Sequence, residues 1–130
     1  MNAIEIHNLT KTYDGFTLHD LSLSLPSGCI MGLIGENGAG KSTTIKLILD
    51  MIHKNNGTIT ILGKDNTDNF TLTKEDVGVV LDEVGLPDCL NLKQINSVMK
   101  YTFQHWDEDE FHKLSQKFSL PNNKSFKDFS

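Results

Sequence analysis

Two segments near the start of the chain alternate apolar and polar residues. The first is AIEIHNL at residues 3–9, and the second is TLHDLSLSL at residues 17–25, where Leu21, Leu23 and Leu25 share one face. Alternation with a period of two is typical of half-buried strands. The stretch KTYDGF between them contains an Asp-Gly pair, which favours a tight turn. The pattern therefore predicts an antiparallel β-hairpin.

Two other segments are apolar without alternation, namely CIMGLIG at residues 29–35 and VGVVL at residues 77–81. Continuous apolar runs of this length are typical of strands that are buried on both faces, as in a parallel sheet. A further strand is predicted for TITILG at residues 58–63.

Helical periodicity appears twice in the sequence. The first predicted helix ends at KNNG, residues 54–57, and its apolar face carries Ile45, Ile48, Leu49 and Ile52. The second begins after Asn91, which forms a predicted capping pair with Gln94. The apolar stripe of this second helix consists of Leu92, Ile95, Met99 and Phe103.

The acidic run DEDE at residues 107–110 opens a third predicted helix. Acidic side chains in the first turn of a helix complement its dipole, so we interpret the run as a solvated helix start and not as a metal site. The inner face of this helix is predicted to carry Phe111, Leu114 and Phe118.

Composition and charge narrow the function classes. The 130 residues carry a net charge of −5, which argues against nucleic acid as the main partner because phosphate backbones attract basic surfaces. All twelve basic residues are lysines, so the chain supplies no arginine finger. No apolar run approaches the roughly 20 residues that span a bilayer. Cys29 and Cys89 form no CxxC pair and are expected to be reduced, buried thiols.

A glycine-rich loop, GENGAGKSTT at residues 35–44, precedes the first predicted helix. It fits the pattern G-x-x-x-x-G-K-[ST], with Gly35 first and Gly40, Lys41 and Ser42 at its end. Glycines let the backbone turn tightly, so that its N–H groups form a concave anion site at the helix N-terminus. Lys41 can reach the outermost phosphates, and the Ser42 hydroxyl can bind a bridging Mg²⁺ ion. The loop therefore predicts a nucleoside triphosphate site.

The context of this loop resembles the ATP-binding subunits of ABC transporters. Their loop is close to G-x-N-G-A-G-K-S-T-T, residues 8–35 match the family's opening, and NNGTITILGKD at residues 55–65 resembles its next strand. The resemblance covers residue 4 to about residue 120. It implies an α/β fold: a P-loop NTPase core with an antiparallel β subdomain and a partial helical subdomain.

The resemblance implies ATP and Mg²⁺ as cofactors. Tyr13 corresponds to the family's adenine-stacking aromatic residue, and the nearby Phe16 is a rival for that role. Ser42 and Asp82 are the expected Mg²⁺ contacts, and Lys41 is expected to stabilise the phosphates. The expected nucleotide-binding residues are Tyr13, Gly35, Asn37, Gly38, Ala39, Gly40, Lys41, Ser42 and Thr43.

Asp82 departs from the family pattern. It stands where the family has the glutamine of the Q-loop, and Glu83 follows it. A carboxylate can bind Mg²⁺, but an ionised one cannot donate a hydrogen bond, which puts the glutamine's water-positioning role in doubt. Two alternatives stay open: residues 82 and 83 are a solvated turn, or VVLDE at residues 79–83 is a Walker B strand.

The family's signature sequence, Walker B strand and switch histidine do not follow residue 91. We therefore expect an N-terminal part of one ATP-binding domain, with the nucleotide-binding core and β subdomain at about residues 1–83 and the start of the helical subdomain at about residues 84–130. Such a chain is expected to bind ATP weakly, to hydrolyse it negligibly by itself and to expose apolar surface.

For the whole protein, the resemblance implies an ATPase that powers transport. Its expected partners are a transmembrane permease subunit and a second ATP-binding subunit, with no nucleic acid, and its expected location is cytoplasmic, on the inner face of the cell membrane. Val84, Leu86 and Pro87 are candidates for the permease contact. The alternatives are a non-transport ABC ATPase in translation or DNA repair, and a non-ABC P-loop NTPase.

Overall fold

The computed structural model describes residues 1–68, 74–82 and 85–129. The chain divides into two compact units, Met1–Asp76 and Val77–Ser130, and each is described by itself. Glu83 and Val84 lie outside the described residues. The predictions that fall on them, including the subdomain boundary at that point, therefore stay predictions.

The first unit contains a four-stranded antiparallel sheet. Its strands are β1 (Asn2–Tyr13), β2 (Phe16–Pro26), β3 (Asn56–Ile61) and β4 (Lys64–Asp65), and their order in the sheet is β2-β1-β3-β4. The predicted hairpin is confirmed, since β1 pairs with β2 through the turn that contains Gly15, at a φ of 82°. The strand predicted at residues 58–63 corresponds to β3.

Among the residues of this unit that the structure describes, one helix packs on the sheet. Helix α1 (Lys41–Ile48) contributes Leu47 to a buried cluster whose other members come from β1 and β3, namely Ile6, Leu9 and Ile59. Burying a side chain of this size stabilises the fold by about 1.5–3 kcal/mol. The predicted apolar face of α1 is wrong at Ile45, which is exposed. The helix is only two turns long, and Leu47 with Thr44, one turn earlier, forms its buried side instead.

The C-terminal end of α1 is tied to the strand region by Asn66. Its Nδ2 donates hydrogen bonds to the carbonyls of Leu47 at 2.8 Å and Ile48 at 3.1 Å, and its own backbone N–H donates to Ile59 O in β3. The last carbonyls of a helix have no partner within the helix. The buried Asn66 supplies one, and it thereby links α1 to β3.

The two continuous apolar runs at residues 29–35 and 77–81 are not strands, so the predictions of buried parallel strands are wrong. Ile30, Ile34 and Val80 are almost fully exposed, at 102%, 95% and 99% of their maximum. A strand needs a neighbour that accepts and donates its backbone hydrogen bonds. Within the described ranges, no strand pairs with either run, and most of their residues are exposed.

Exposed apolar surface, as expected from the sequence, is confirmed in these runs. Cys29 and Cys89 are both free and exposed, so the prediction of buried thiols is wrong. Cys29 lies three residues after the end of β2, as the first residue of the unpaired run at residues 29–35, and shares its exposure. None of the helices in the described part of the chain is long and apolar enough to cross a membrane.

The second unit contains two α-helices, α2 (Leu92–Thr102) and α3 (Glu108–Lys117), and a short 3₁₀ helix (Phe126–Asp128). The predicted capping box of α2 is confirmed, because Asn91 and Gln94 exchange side-chain hydrogen bonds with each other's backbone.

The predicted apolar faces of the two helices agree with the structure except at two positions, both on α3. On α2, Leu92 and Ile95 are buried, as the stripe predicted. On α3, the predictions for Leu114 and Phe118 are wrong, since both side chains are exposed, at 40% and 66%. The residue that this helix buries next to Leu114 is Ser115. Phe118 caps the C-terminal end of α3, one position beyond the last helical turn, so its side chain is not held on the buried face.

A chain of polar side chains joins α2 to α3. Trp106 Nε1 donates to Asn96 Oδ1 at 2.7 Å, and Asn96 Nδ2 donates to Glu108 Oε2 at 2.7 Å. The second carboxylate oxygen of Glu108 accepts from Lys100 Nζ. Hydrogen bonding to Lys100, and then to Asn96, lowers the pKa of Glu108, while the same pair raises the pKa of Lys100.

These shifts predict a pH dependence for the second unit. The lowered pKa means that the Glu108 contacts stabilise the fold fully above about pH 4.5 and lose that effect as the pH falls through the lowered value. The raised pKa of Lys100 means that the pair weakens again only above pH 10.5. Glu108→Gln should therefore lower the Tm most between these limits, and less in high salt because the pair is exposed.

Fluorescence of Trp106, the chain's single tryptophan, is the appropriate measurement because Trp106 belongs to the same network. Asp109→Asn is the matched control, since it removes the same charge from the same helical turn. A Tm difference between Glu108→Gln and wild type that does not change from pH 7 to pH 3 would contradict the prediction.

Candidate functional site

At each glycine of the loop at residues 35–44, the local structure favours glycine over other residues. Gly38 and Gly40 have φ values of 85° and 102°, in the left-handed region that favours glycine. Gly40 is also the N-cap of α1, and no side chain caps that end. At Gly35 the reason is close approach, because a Cβ there would lie 3.2 Å from Ala39 Cβ. The backbone is thus bent back on itself directly before the helix N-terminus.

Lys41 is the first residue of α1, and its side chain turns back over the loop. Its Nζ donates to the carbonyl oxygens of Gly35 and, at 2.8 Å, of Glu36. The loop therefore holds the ammonium group near the N-terminus of α1. An anion that entered the loop would meet this positive charge together with the free N–H groups of the first helical turn.

A cavity of about 400 Å³ lies in front of this loop. Ligand pockets in proteins have volumes of about 300–1,000 Å³, so the cavity can take a small molecule. Of the predicted nucleotide-binding residues, Gly35 and Ala39 belong to the loop but not to the cavity wall. The lining residues are Tyr13, Phe16, Glu36, Asn37, Gly38, Gly40, Lys41, Ser42 and Thr43.

The aromatic residues that line the cavity come from the β1–β2 hairpin. Tyr13 and Phe16 are cross-strand partners, and directly opposed residues of an antiparallel pair project from the same face. Tyr13 is 41% exposed, and Lys11 Nζ lies 5.1 Å from the centroid of its ring. Aromatic side chains of the hairpin and Lys41 of the loop thus line the same cavity.

Two lining residues were not among the predicted site residues. Phe16 was weighed only as a rival to Tyr13, and Glu36 occupies a variable position of the loop pattern. The signal for Phe16 was available, since the tight turn at Asp14 and Gly15 makes Phe16 the partner of Tyr13. The loop pattern G-x-x-x-x-G-K-[ST] accepts any residue at position 36, so it gives no such signal for Glu36.

The predicted Mg²⁺ contacts lie in different units. The Ser42 residue lines the cavity in the first unit, whereas Asp82 belongs to the second. A hydroxyl oxygen beside a phosphate site is suited to Mg²⁺, which takes oxygen ligands. The role of Asp82 stays a prediction.

The chain is similar to several known proteins. A family model described as "ABC transporter" matches residues 18–130. The manganese transport system ATP-binding protein MntB of Bacillus subtilis is 46% identical over 72 residues, which is 55% of this chain and 29% of that protein. The energy-dependent translational throttle protein EttA of Haemophilus influenzae is 41% identical over 87 residues, which is 63% of this chain and 16% of that protein.

Among solved structures, an ATP-binding subunit of an ABC transporter superposes with a TM-score of 0.85 at 26% identity. The superposition covers 98% of this chain and 56% of that one. The chain thus spans only part of the length of the proteins it matches.

Proposed function

Because the chain belongs to the ABC transporter family, we propose that it binds ATP with Mg²⁺ and forms the nucleotide-binding part of an ATPase that powers transport across a membrane. The observation that carries this proposal is the cavity of about 400 Å³ between Tyr13 and the loop of Gly38, Gly40 and Lys41. Its lining combines an aromatic side chain, which suits the base of a nucleotide, with a glycine loop and a lysine, which suit the phosphates.

Each part of the nucleotide is assigned to the residues whose chemistry suits it. The loop N–H groups and Lys41 hold the phosphates, and the Ser42 hydroxyl holds Mg²⁺, which neutralises phosphate charge when it is bound. Tyr13 stacks on the base, because an aromatic face can stack without matching a hydrogen-bond pattern. Asp82 is a proposed further Mg²⁺ contact through a carboxylate oxygen.

For the whole protein we propose a permease subunit and a second ATP-binding subunit as partners, at the inner face of the cell membrane. The name of the relative MntB, a manganese transport system protein, supports transport. ATP hydrolysis is the activity of the family, and the contribution of this chain is to hold the nucleotide. Family membership removes the alternative of a P-loop enzyme from outside the ABC family.

A second candidate is an ABC ATPase that acts in translation, which the match to EttA favours. The two candidates differ in the partner. A transport subunit should co-purify with membranes that contain its permease, whereas a translation factor should co-purify with ribosomes. The net charge of −5 favours the first candidate, since RNA attracts basic surfaces.

Calorimetric titration of the full chain tests the nucleotide site. Mg-ATP should bind with a Kd below about 1 mM, the usual upper range for enzyme substrates. Adenosine, which lacks the phosphates, should bind much more weakly, and EDTA should weaken the binding of ATP. If ATP and adenosine bound equally, or if neither bound, the proposed function would be wrong.

A further inference from the structure

Gly40 is packed between two parts of the first unit. On one side, its carbonyl accepts hydrogen bonds from Thr44 N at 2.9 Å and Thr44 Oγ1 at 2.8 Å. On the other side, a Cβ built on Gly40 would lie 3.0 Å from Phe16 Cζ and 3.2 Å from Leu18 Cδ1. The hairpin side chains therefore rest directly on the backbone of this glycine.

This contact matters because of what Gly40 does. Its φ of 102° sets the direction in which the loop enters α1, and no side chain caps that helix end. The N–H groups that follow it are those offered to an anion. A glycine has wide conformational freedom, so a neighbour that blocks alternative positions makes the loop's conformation more uniform.

Phe16 and Leu18 differ in their other contacts. Within the described residues, Leu18 also packs against the buried cluster of Ile6, Leu9, Leu47 and Ile59, and Phe16 is not one of the side chains that do so. Phe16 follows the turn directly, and its cross-strand partner is Tyr13. Its ring thus contacts Gly40 without belonging to the core of the first unit.

From this packing we propose that Phe16 is a positioning residue for the phosphate-binding loop. Its ring presses on Gly40 and keeps the loop in the anion-binding conformation, independently of any contact with the base. This inference rests on the proposed function, since it concerns the same site. It gives the two aromatic residues of the cavity different roles. Tyr13 stacks on the base, and Phe16 positions the loop that binds the phosphates.

The test uses a ligand without a base. Mg-tripolyphosphate and Mg-ATP are each titrated into the full chain and into Phe16→Ala. If the competent loop population falls to about one fifth, the affinity for both ligands should fall about fivefold. Phe16→Leu, which keeps an apolar group against Gly40, should recover most of the loss.

Tyr13→Ala is the matched control from the same hairpin. It should weaken Mg-ATP and leave Mg-tripolyphosphate unchanged. Amide hydrogen exchange gives a second readout: exchange at residues 38–42 should accelerate in Phe16→Ala, whereas exchange in β3 (Asn56–Ile61) should not. If Phe16→Ala does not fold, the comparison of Phe16→Leu with Phe16→Val carries the test, and the smaller side chain should bind both ligands more weakly.

The outcomes are distinguishable. If Phe16→Ala weakens Mg-ATP alone, Phe16 is a base-stacking residue and the inference is wrong while the proposed function stands. If exchange at residues 38–42 stays unchanged in Phe16→Ala, the inference is likewise wrong. If the wild-type chain binds neither ligand, the proposed function fails and the inference fails with it.

Discussion

Replacing Lys41 with alanine should weaken the binding of Mg-ATP about ten- to a hundredfold. The ammonium group lies over the loop, where it now donates to the carbonyls of Gly35 and Glu36. Bound phosphate would take the place of these neutral acceptors, and a hydrogen bond to a charged group contributes about 1.5–3 kcal/mol. Alanine removes that interaction, and the helix N–H groups then hold the phosphates without the side-chain charge.

Calorimetry on the full chain measures this effect, and Lys46→Ala is the control. Lys46 lies in the last turn of the same helix, is exposed and does not line the cavity. It changes the net charge by the same amount, so an effect of overall charge would appear in both variants. An equal loss of affinity in the two variants, or no loss in Lys41→Ala, would contradict the assignment of Lys41 to the phosphates.

Replacing Gly57 with alanine should destabilise the first unit by about 3–5 kcal/mol. Gly57 lies in β3 with a φ of 94°, and a Cβ there would lie 2.6 Å from the backbone carbonyl oxygens of both His7 and Asn8. These atoms belong to the paired strand β1, so they cannot move away without breaking the β1–β3 pairing. The left-handed conformation itself adds about 1–2 kcal/mol of strain for alanine.

Gly63→Ala separates the clash from the strain. Gly63 has a similar φ of 79°, but a Cβ there would meet no atom within 4 Å. Its cost should therefore be the strain alone, about 1–2 kcal/mol. Urea unfolding followed by far-UV circular dichroism gives the free energy of unfolding of each variant. If the two variants were destabilised equally, the close approach of β1 to Gly57 would not be the cause.

Local patterns predicted those parts of the fold whose neighbours are near in sequence. The hairpin of β1 and β2 was predicted because its turn and both its strands lie within 25 residues of each other (residues 2–26). The capping box of Asn91 and Gln94 was predicted because its two partners are one helical turn apart. The glycine loop was predicted for the same reason, because the residues that define it lie close together in one continuous turn of the chain.

Predictions that depended on distant neighbours were less successful. The runs at residues 29–35 and 77–81 have strand composition, yet in the described residues they find no strand to pair with and stay exposed. The composition of a segment shows that its side chains could be buried, but burial also needs a second surface that packs against them. The buried side of α1 was missed at Leu47 because it depends on where β1 and β3 lie.

By itself, the sequence predicted most of the residues that line the cavity: a glycine loop with Lys41 and Ser42, and an aromatic residue ahead of it. These features depend on residue type and short spacing, which are visible in one dimension. Tertiary structure alone decided that Phe16 rests on Gly40, that Asn66 holds the end of α1 and that Gly57 passes close to β1. Each of these contacts joins atoms that only the pairing of strands and the packing of a helix bring together, so no local pattern contains them.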